Sequence, residues 1–268
     1  MNQLKTSKSL YIAITICCFS IFSSASIQAT IVKFETNLPN GESFEVNLYD
    51  ETTPETVANF LEYLNSGSYA NSVFHRAEPN FVLQGGGFSY NANWPLDAIT
   101  DNDPVINEPR YSNITGTIAM AKLSNNVNSA TNQWFFNLGN NSLNLDRTNG
   151  GYTVFGEVIG DGMAVINQIV AIQRYDFGAQ FQGGNFRSIP LDNFTAGSTP
   201  DATNLVFVTD IIITDQAVDS AAGLNPALNI GPAVIPEPTS SDSGGGSFGI
   251  LMMGLLLLVS RRFIVSKN

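Results

Sequence analysis

The strongest constraint in this 268-residue chain is a series of short segments with strand patterning, spread through residues 30–214 and separated by turn-rich connections. From Ser43 to Tyr49, Phe44, Val46 and Leu48 fall on one face and Ser43, Glu45 and Asn47 on the other. That alternation is the mark of a strand with one buried face. Ile31–Glu35, Phe81–Gln84, Gly116–Met120, Gln133–Leu138, Tyr152–Val158 and Leu205–Thr214 are further strand candidates. Two segments carry helical periodicity instead. Thr53 can cap a helix with Pro54 at its first position; Val57, Phe60, Leu61 and Leu64 then form one apolar stripe, and Gly67 ends it. A second helix runs from about Gly162 to Ala171, with Met163, Ile166, Ile169 and Val170 inward. Asn149-Gly150 reads as a turn before the Tyr152 strand. Many strands and two helices predict an all-β-dominated fold, a closed antiparallel barrel covered at its ends. Residues 172–204, rich in glycine and polar side chains, read as a long surface loop.

The inventory of reactive side chains narrows the chemistry. Cys17 and Cys18 lie in an apolar run near the start, and His75 is the single histidine. A Cys/His zinc site is excluded, and any histidine-dependent triad would have to use His75. Gly85-Gly86-Gly87 lacks the Lys-Ser/Thr of a phosphate loop. Asp101, Asp103 and Glu108 lack the glycine and spacing of a helix–loop–helix calcium site. Gly-x-Ser-x-Gly is absent, which argues against an esterase. No metal and no cofactor is expected. The formal net charge is −11, and all 23 acids lie between residues 30 and 247. Such a surface repels phosphate backbones, so sequence-independent nucleic-acid binding is not expected.

The two ends read as targeting segments. Residues 1–29 have Lys5 and Lys8, then the apolar run Leu10 to Phe22, then small residues with cleavage places after Ala25 or Ala29, the layout of a secretory signal peptide. Residues 215–247 are rich in Ala, Pro, Ser and Gly, a flexible linker. Residues 248–268 begin with the apolar stretch Phe248 to Val259 and carry Arg261-Arg262 at their end. With Ser243-Gly244-Gly245-Gly246-Ser247 before it, this tail resembles Gly-Gly-type C-terminal sorting signals of Gram-negative bacteria; a plain membrane anchor is the alternative. Either way residues 30–214 are expected outside the cytoplasm, in the periplasm or at the cell surface.

Several specific segments remain. Phe74-His75-Arg76 is followed by Asn80-Phe81-Val82-Leu83-Gln84-Gly85-Gly86-Gly87-Phe88, then Gly116-Thr117-Ile118-Ala119-Met120-Ala121, Asn132-Gln133-Trp134-Phe135-Phe136-Asn137, Leu145-Asp146 and Tyr152-Thr153-Val154-Phe155-Gly156-Glu157-Val158. In this order and spacing they resemble the cyclophilins, the peptidyl-prolyl cis-trans isomerase family, over about residues 30–214, and Tyr152 is closest to bacterial periplasmic members. The resemblance implies a closed eight-stranded antiparallel barrel capped by two helices, with the active groove on its outer face. It implies an isomerase acting on proline-containing polypeptides during the folding of exported proteins. The alternative is a surface-displayed proline-peptide binding module or chaperone with incidental turnover.

The same resemblance assigns residues. Arg76 would be the cationic donor, Gln84 would orient it and bond the substrate backbone, and Phe135 would complete the catalytic set. Phe81, Val82, Leu145 and Tyr152 would line the proline pocket. Ala121 and Lys122 would align the peptide backbone, and Gln133 would be a further groove residue. His75 reads as a structural partner in its strand. Departures from the family pattern are Val82 for a methionine, Tyr152 for a histidine, Lys122 for an asparagine, and Asn144 where the tryptophan associated with cyclosporin stands. They imply weak or absent cyclosporin inhibition. Nothing in the sequence points to an obligate interface, so a monomer is expected.

Overall fold

The computed structural model describes residues 30–179, 186–216 and 224–231. The expected signal segment 1–29 and tail segment 248–268 lie outside the described residues. The strands in chain order are β1 (Ile31–Thr36), β2 (Ser43–Leu48), β3 (Ser72–Val73), β4 (Arg76–Glu78), β5 (Val82–Gly85), β6 (Phe88–Ser89), β7 (Asp97–Ala98), β8 (Thr117–Met120), β9 (Trp134–Asn137), β10 (Val154–Ile159), β11 (Arg174–Tyr175), β12 (Ile189–Pro190) and β13 (Phe207–Asp215). The α-helices are α1 (Pro54–Asn65), α2 (Ser142–Leu145) and α3 (Gly162–Ala171).

Among the described residues, eleven strands form one curled antiparallel sheet in the order β4-β5-β9-β8-β10-β2-β1-β13-β3-β6-β7. The two-residue alternation sets which side chains go inside. In β1 and β2, Phe34 faces Phe44 across the pair, and their rings stack with centroids 5.0 Å apart. Phe60, Trp134, Phe136 and Phe155 complete a fully buried aromatic interior. Residues 72–78 supply both β3 and β4. Val73 pairs with Phe207 of β13, while Arg76 pairs with Gln84 of β5. Between them the Phe74 amide donates to the Val206 carbonyl (3.0 Å) and the His75 amide to the Gln84 carbonyl (3.1 Å).

Both sequence-derived helices are present. α1 buries Val57, Phe60 and Tyr63, and Gly67 follows its end at φ +71°, the left-handed conformation glycine adopts freely. Its N-terminus differs from the expectation. The Thr53 hydroxyl donates to the Tyr49 carbonyl (3.1 Å) and caps nothing. The Glu108 carboxylate instead accepts the Thr56 amide (2.9 Å) and hydroxyl (2.7 Å) and the Glu55 amide (3.4 Å). A carboxylate there meets both the unpaired amides and the positive end of the helix dipole. α3 buries Ile166 and Ile169 and lies on β2 and β10. Gly162 permits that approach, since a Cβ there would sit 2.6 Å from Val158. The one-turn α2 is an addition to the expected pair.

Residues 172–204 are not simply a surface loop. β11 and β12 pair as a short hairpin. Phe177, Phe186, Ile189, Leu191 and Phe194 are buried with Val73, Leu96 and Leu205 in a second core. The glycine and polar residues that suggest a solvated loop sit between these apolar anchors. Residues 224–231, inside the expected linker, run beside residues 110–112. Tyr111 and Leu228 form an antiparallel bridge, the Ser112 amide donates to the Ala227 carbonyl (2.8 Å) and the Asn229 amide to the Arg110 carbonyl (2.9 Å).

Candidate active site

Strand register builds the site. Arg76 lies opposite Gln84, Gln84 opposite Phe135, and Phe135 opposite Ala119. Directly paired residues project to the same face of a sheet, so Arg76, Gln84, Phe135 and Ala119 form one cross-strand row on the outer face. The neighbouring row, Ala77, Leu83, Phe136 and Ile118, enters the interior.

The outer row opens into a cleft of about 390 Å³. Arg76, Phe81, Val82, Gln84, Ala121, Lys122, Phe135, Leu145 and Tyr152 all line it. Of the site residues assigned by resemblance, only Gln133 is not in this lining; its Oε1 accepts from Gln84 Nε2 (2.8 Å). The Gly85-Gly86-Gly87 run finds its use here. A Cβ at Gly87 would lie 2.7 Å from the Gln133 side chain, and one at Gly86 would lie 2.5 Å from Trp134 Nε1. Gly87 thus leaves room for Gln133, which bonds Gln84, and Gly86 for the buried Trp134 indole.

One wall is polar. Arg76 donates from a terminal nitrogen to Gln84 Oε1 (3.4 Å), its Nε lies 3.6 Å from Glu78 Oε1, and its guanidinium sits 5.6 Å from the Phe81 ring centre. Phe81 is held there by the β4–β5 turn, in which Asn80 takes φ +62° and the Phe81 amide donates to the Glu78 carbonyl (2.9 Å). Arg76 is only partly buried, so its charge remains available to a bound molecule.

The other wall is apolar. Val82, Phe135 and Leu145 are buried, and Tyr152 packs edge-on to Phe135 with centroids 6.0 Å apart. Leu145 ends α2, and Asp146 pins the wall. Its buried carboxylate accepts from the Ser112 hydroxyl (2.6 Å), the Asn113 amide (2.8 Å) and Asn113 Nδ2 (2.9 Å). Asn113 Nδ2 also donates to the Tyr152 carbonyl (3.0 Å), and the Tyr152 amide to the Leu145 carbonyl (2.9 Å). Lys122 donates to the Asn149 (2.8 Å) and Gly151 (2.6 Å) carbonyls and lies 5.0 Å from the Tyr152 ring centre. Burial pushes its pKa down to about 8. The Ala121 amide donates to the Gln133 carbonyl (2.9 Å).

Three lining residues were not in the sequence-derived set: His75, Glu78 and Arg187. His75 is buried, edge-on to Phe88 (5.1 Å) and Phe186 (6.3 Å), and burial pushes its pKa down to about 4. It is therefore neutral at pH 7. Glu78 is readable in sequence only as a neighbour of Arg76, and Arg187 carries no motif. Among the described residues, no group of acidic, Cys and His side chains is placed to hold a metal ion. Asp101 instead accepts the Thr131 hydroxyl (2.9 Å), and Glu108 caps α1.

A curled antiparallel sheet with an arginine-edged, apolar cleft on its outer face is what the cyclophilins present. The model of the family described as cyclophilin type peptidyl-prolyl cis-trans isomerase/CLD matches residues 31–182, and the chain belongs to this family. A peptidyl-prolyl cis-trans isomerase of Acinetobacter baylyi is 39% identical over 161 residues, 59% of this chain and 81% of that protein. Peptidyl-prolyl cis-trans isomerase A of Dickeya dadantii is 37% identical over 170 residues, 62% of this chain and 85% of that protein. A crystal structure of a cyclophilin type isomerase of Cryptosporidium parvum is 22% identical, with a TM-score of 0.48, and covers 70% of this chain and 98% of that one.

Proposed function

We propose that this chain is a peptidyl-prolyl cis-trans isomerase acting on proline-containing polypeptides. The observation that carries the reading is the cross-strand row placing the Arg76 guanidinium and the Gln84 amide beside the apolar slot of Val82, Phe135 and Leu145. Amide resonance opposes rotation of an X-Pro bond, with a barrier of roughly 18–20 kcal/mol. No covalent bond breaks, so a nucleophile has nothing to do. The slot holds the proline ring by apolar contact. As the amide twists, its nitrogen becomes pyramidal and gains a lone pair. A guanidinium fixed beside it donates to that lone pair, an interaction present only in the twisted state, so it lowers the barrier selectively. Gln84, steadied by Gln133, fixes the guanidinium and offers its amide to the peptide backbone; the main chain at Ala121 and Lys122, its Ala121 amide already given to the Gln133 carbonyl, offers its carbonyls. His75, buried and neutral, serves packing.

The deciding experiment is a prolyl-isomerisation assay on the full-length protein and its Arg76→Ala variant. The expected result is activity in the first and a loss of about 100-fold or more in the second. If both were inactive while proline peptides still bound, the chain would be a binding module.

Further readings belong to the same proposal. The curled sheet closes as an eight-stranded barrel capped by α1 and α3; the supporting feature is segment 72–78, which pairs with β13 at one end and β5 at the other. The protein works as an exported folding catalyst in the periplasm or at the surface of a Gram-negative cell, supported by the signal-like residues 1–29 and the Gly-Gly and Arg-Arg tail. Among the described residues, no helix is long and apolar enough to cross a membrane. Mass spectrometry of the mature protein tests the tail: an end near Gly244–Gly246 supports sorting, and an intact Asn268 supports anchoring. The protein acts as a monomer, which sedimentation checks. With Lys122 in the lining and Asn144 standing where the resemblance puts a tryptophan, the cleft binds cyclosporin weakly; nanomolar affinity, about 12 kcal/mol, would overturn that.

A further inference from the structure

The cleft concentrates positive charge on a chain whose formal net charge is −11. Arg76, Lys122 and Arg187 line it, against one carboxylate, Glu78. That carboxylate is engaged: Glu78 Oε1 accepts the Ser188 hydroxyl (2.7 Å) and lies 3.6 Å from Arg76 Nε. The Lys122 ammonium is held by two backbone carbonyls, which orient it without cancelling its charge. The backbone at Arg187 is fixed by its neighbours. Phe186 and Ser188 are buried, and the Ala77 amide donates to the Ser188 carbonyl (2.8 Å), so the segment runs along the free side of β4. The Arg187 side chain itself is exposed at the mouth of the cleft. Among the described residues, neither Lys122 nor Arg187 forms a salt bridge. Arg187 also lies beyond residues 31–182, the part that matches the family model.

We infer that the cleft selects X-Pro peptides carrying an acidic residue beside the proline, with Lys122 and Arg187 as the specificity-determining side chains. Two cations at the rim of a partly desolvated cleft act on a carboxylate more strongly than surface charges in bulk water do. The acidic remainder of the protein repels a long polyanion, so the preference is for one or two carboxylates near the bond and not for an acidic tract. At pH 7 Lys122 remains largely protonated, because burial brings its pKa down only to about 8. The inference rests on the isomerase reading for turnover, but not for binding.

The test uses the full-length protein and three labelled peptides identical except for Glu, Gln or Lys next to the X-Pro pair. Binding is read by fluorescence anisotropy and turnover by the isomerisation assay, at low and high salt. In the wild type, Glu is favoured over Lys by about 10-fold at low salt and by less at high salt. Arg187→Gln and Lys122→Gln each lower the Glu:Lys ratio about threefold, and the double variant brings it close to one. Using the ratio within each variant removes any general loss of fold or activity. Equal binding of the three peptides by the wild type, or an unchanged ratio in the double variant, overturns the inference. If the Glu peptide binds preferentially and none is turned over, the isomerase reading falls and the charge selection stands.

Discussion

Two rows of side chains on the same four strands differ by one residue in register. Ala77, Leu83, Phe136 and Ile118 point into the interior; Arg76, Gln84, Phe135 and Ala119 point out. The inner row belongs to the aromatic core around Phe34, Trp134 and Phe155. Arg76, Gln84 and Phe135 of the outer row line the cleft, with Ala119 buried beside Phe135. Adjacent residues such as Phe135 and Phe136 therefore have unrelated duties, and the pleat alone decides which. Substitutions on the inner row should change stability, and those on the outer row should change chemistry.

The inner row is the costlier of the two to disturb. Phe136→Ala removes a fully buried ring that touches Phe34, Phe44 and Trp134. It should cost about 3–5 kcal/mol in urea denaturation. Arg76→Ala, on the outer row, should lose about 100- to 1,000-fold in isomerase activity, roughly 3–4 kcal/mol of barrier. Its denaturation midpoint should stay near that of wild type, because the Arg76–Glu78 contact is exposed. A shared loss of stability in both variants would dissolve the distinction between the rows.

His75 lines the cleft yet is buried like a core residue. Burial lowers its pKa to about 4 in the folded protein, against an ordinary value of about 6.5. The unfolded chain thus binds the proton more readily between those values. Stability from this residue is complete above about pH 6.5 and falls as pH drops toward 4, by up to about 3 kcal/mol. His75→Gln should flatten that slope in pH-dependent denaturation. Isomerisation above pH 7 should follow no titration of this residue.

The smallest effect concerns the wall. Asp146→Ala leaves the Ser112 hydroxyl and two Asn113 donors without their buried acceptor. It should cost about 2 kcal/mol, and KM should rise more than kcat falls, since Leu145 and Tyr152 lose their support while Arg76 keeps its own. An unchanged KM would mean that the wall stands without this carboxylate.

Much of this was legible in the sequence. The seven strand candidates all contain strands, and α1 and α3 fall where the apolar stripes put them. Nine of the ten singled-out residues line one cleft, and the tenth, Gln133, is hydrogen-bonded to Gln84 of that lining. What could not be read depended on distance in the chain or on dilution. Glu108 caps a helix about fifty positions away, which no local pattern announces. The four-residue α2 is too short to show a period. Phe177, Phe186 and Phe194 are scattered among glycines, so the average polarity of 172–204 concealed a second core. Arg187 belongs to the same stretch and reaches the cleft only because Ser188 binds β4. The split of residues 72–78 between two partners likewise follows from curvature of the sheet, not from any residue in it.

The floor of the cleft is the reverse side of strands whose inner rings are jammed against one another, from Phe34 through Trp134 to Phe136. A surface backed in that way has low compliance, and dense interiors transmit strain instead of absorbing it. A supple peptide pressed onto this anvil must do the deforming itself. The protein serves as a stiff jig against which the softer partner turns.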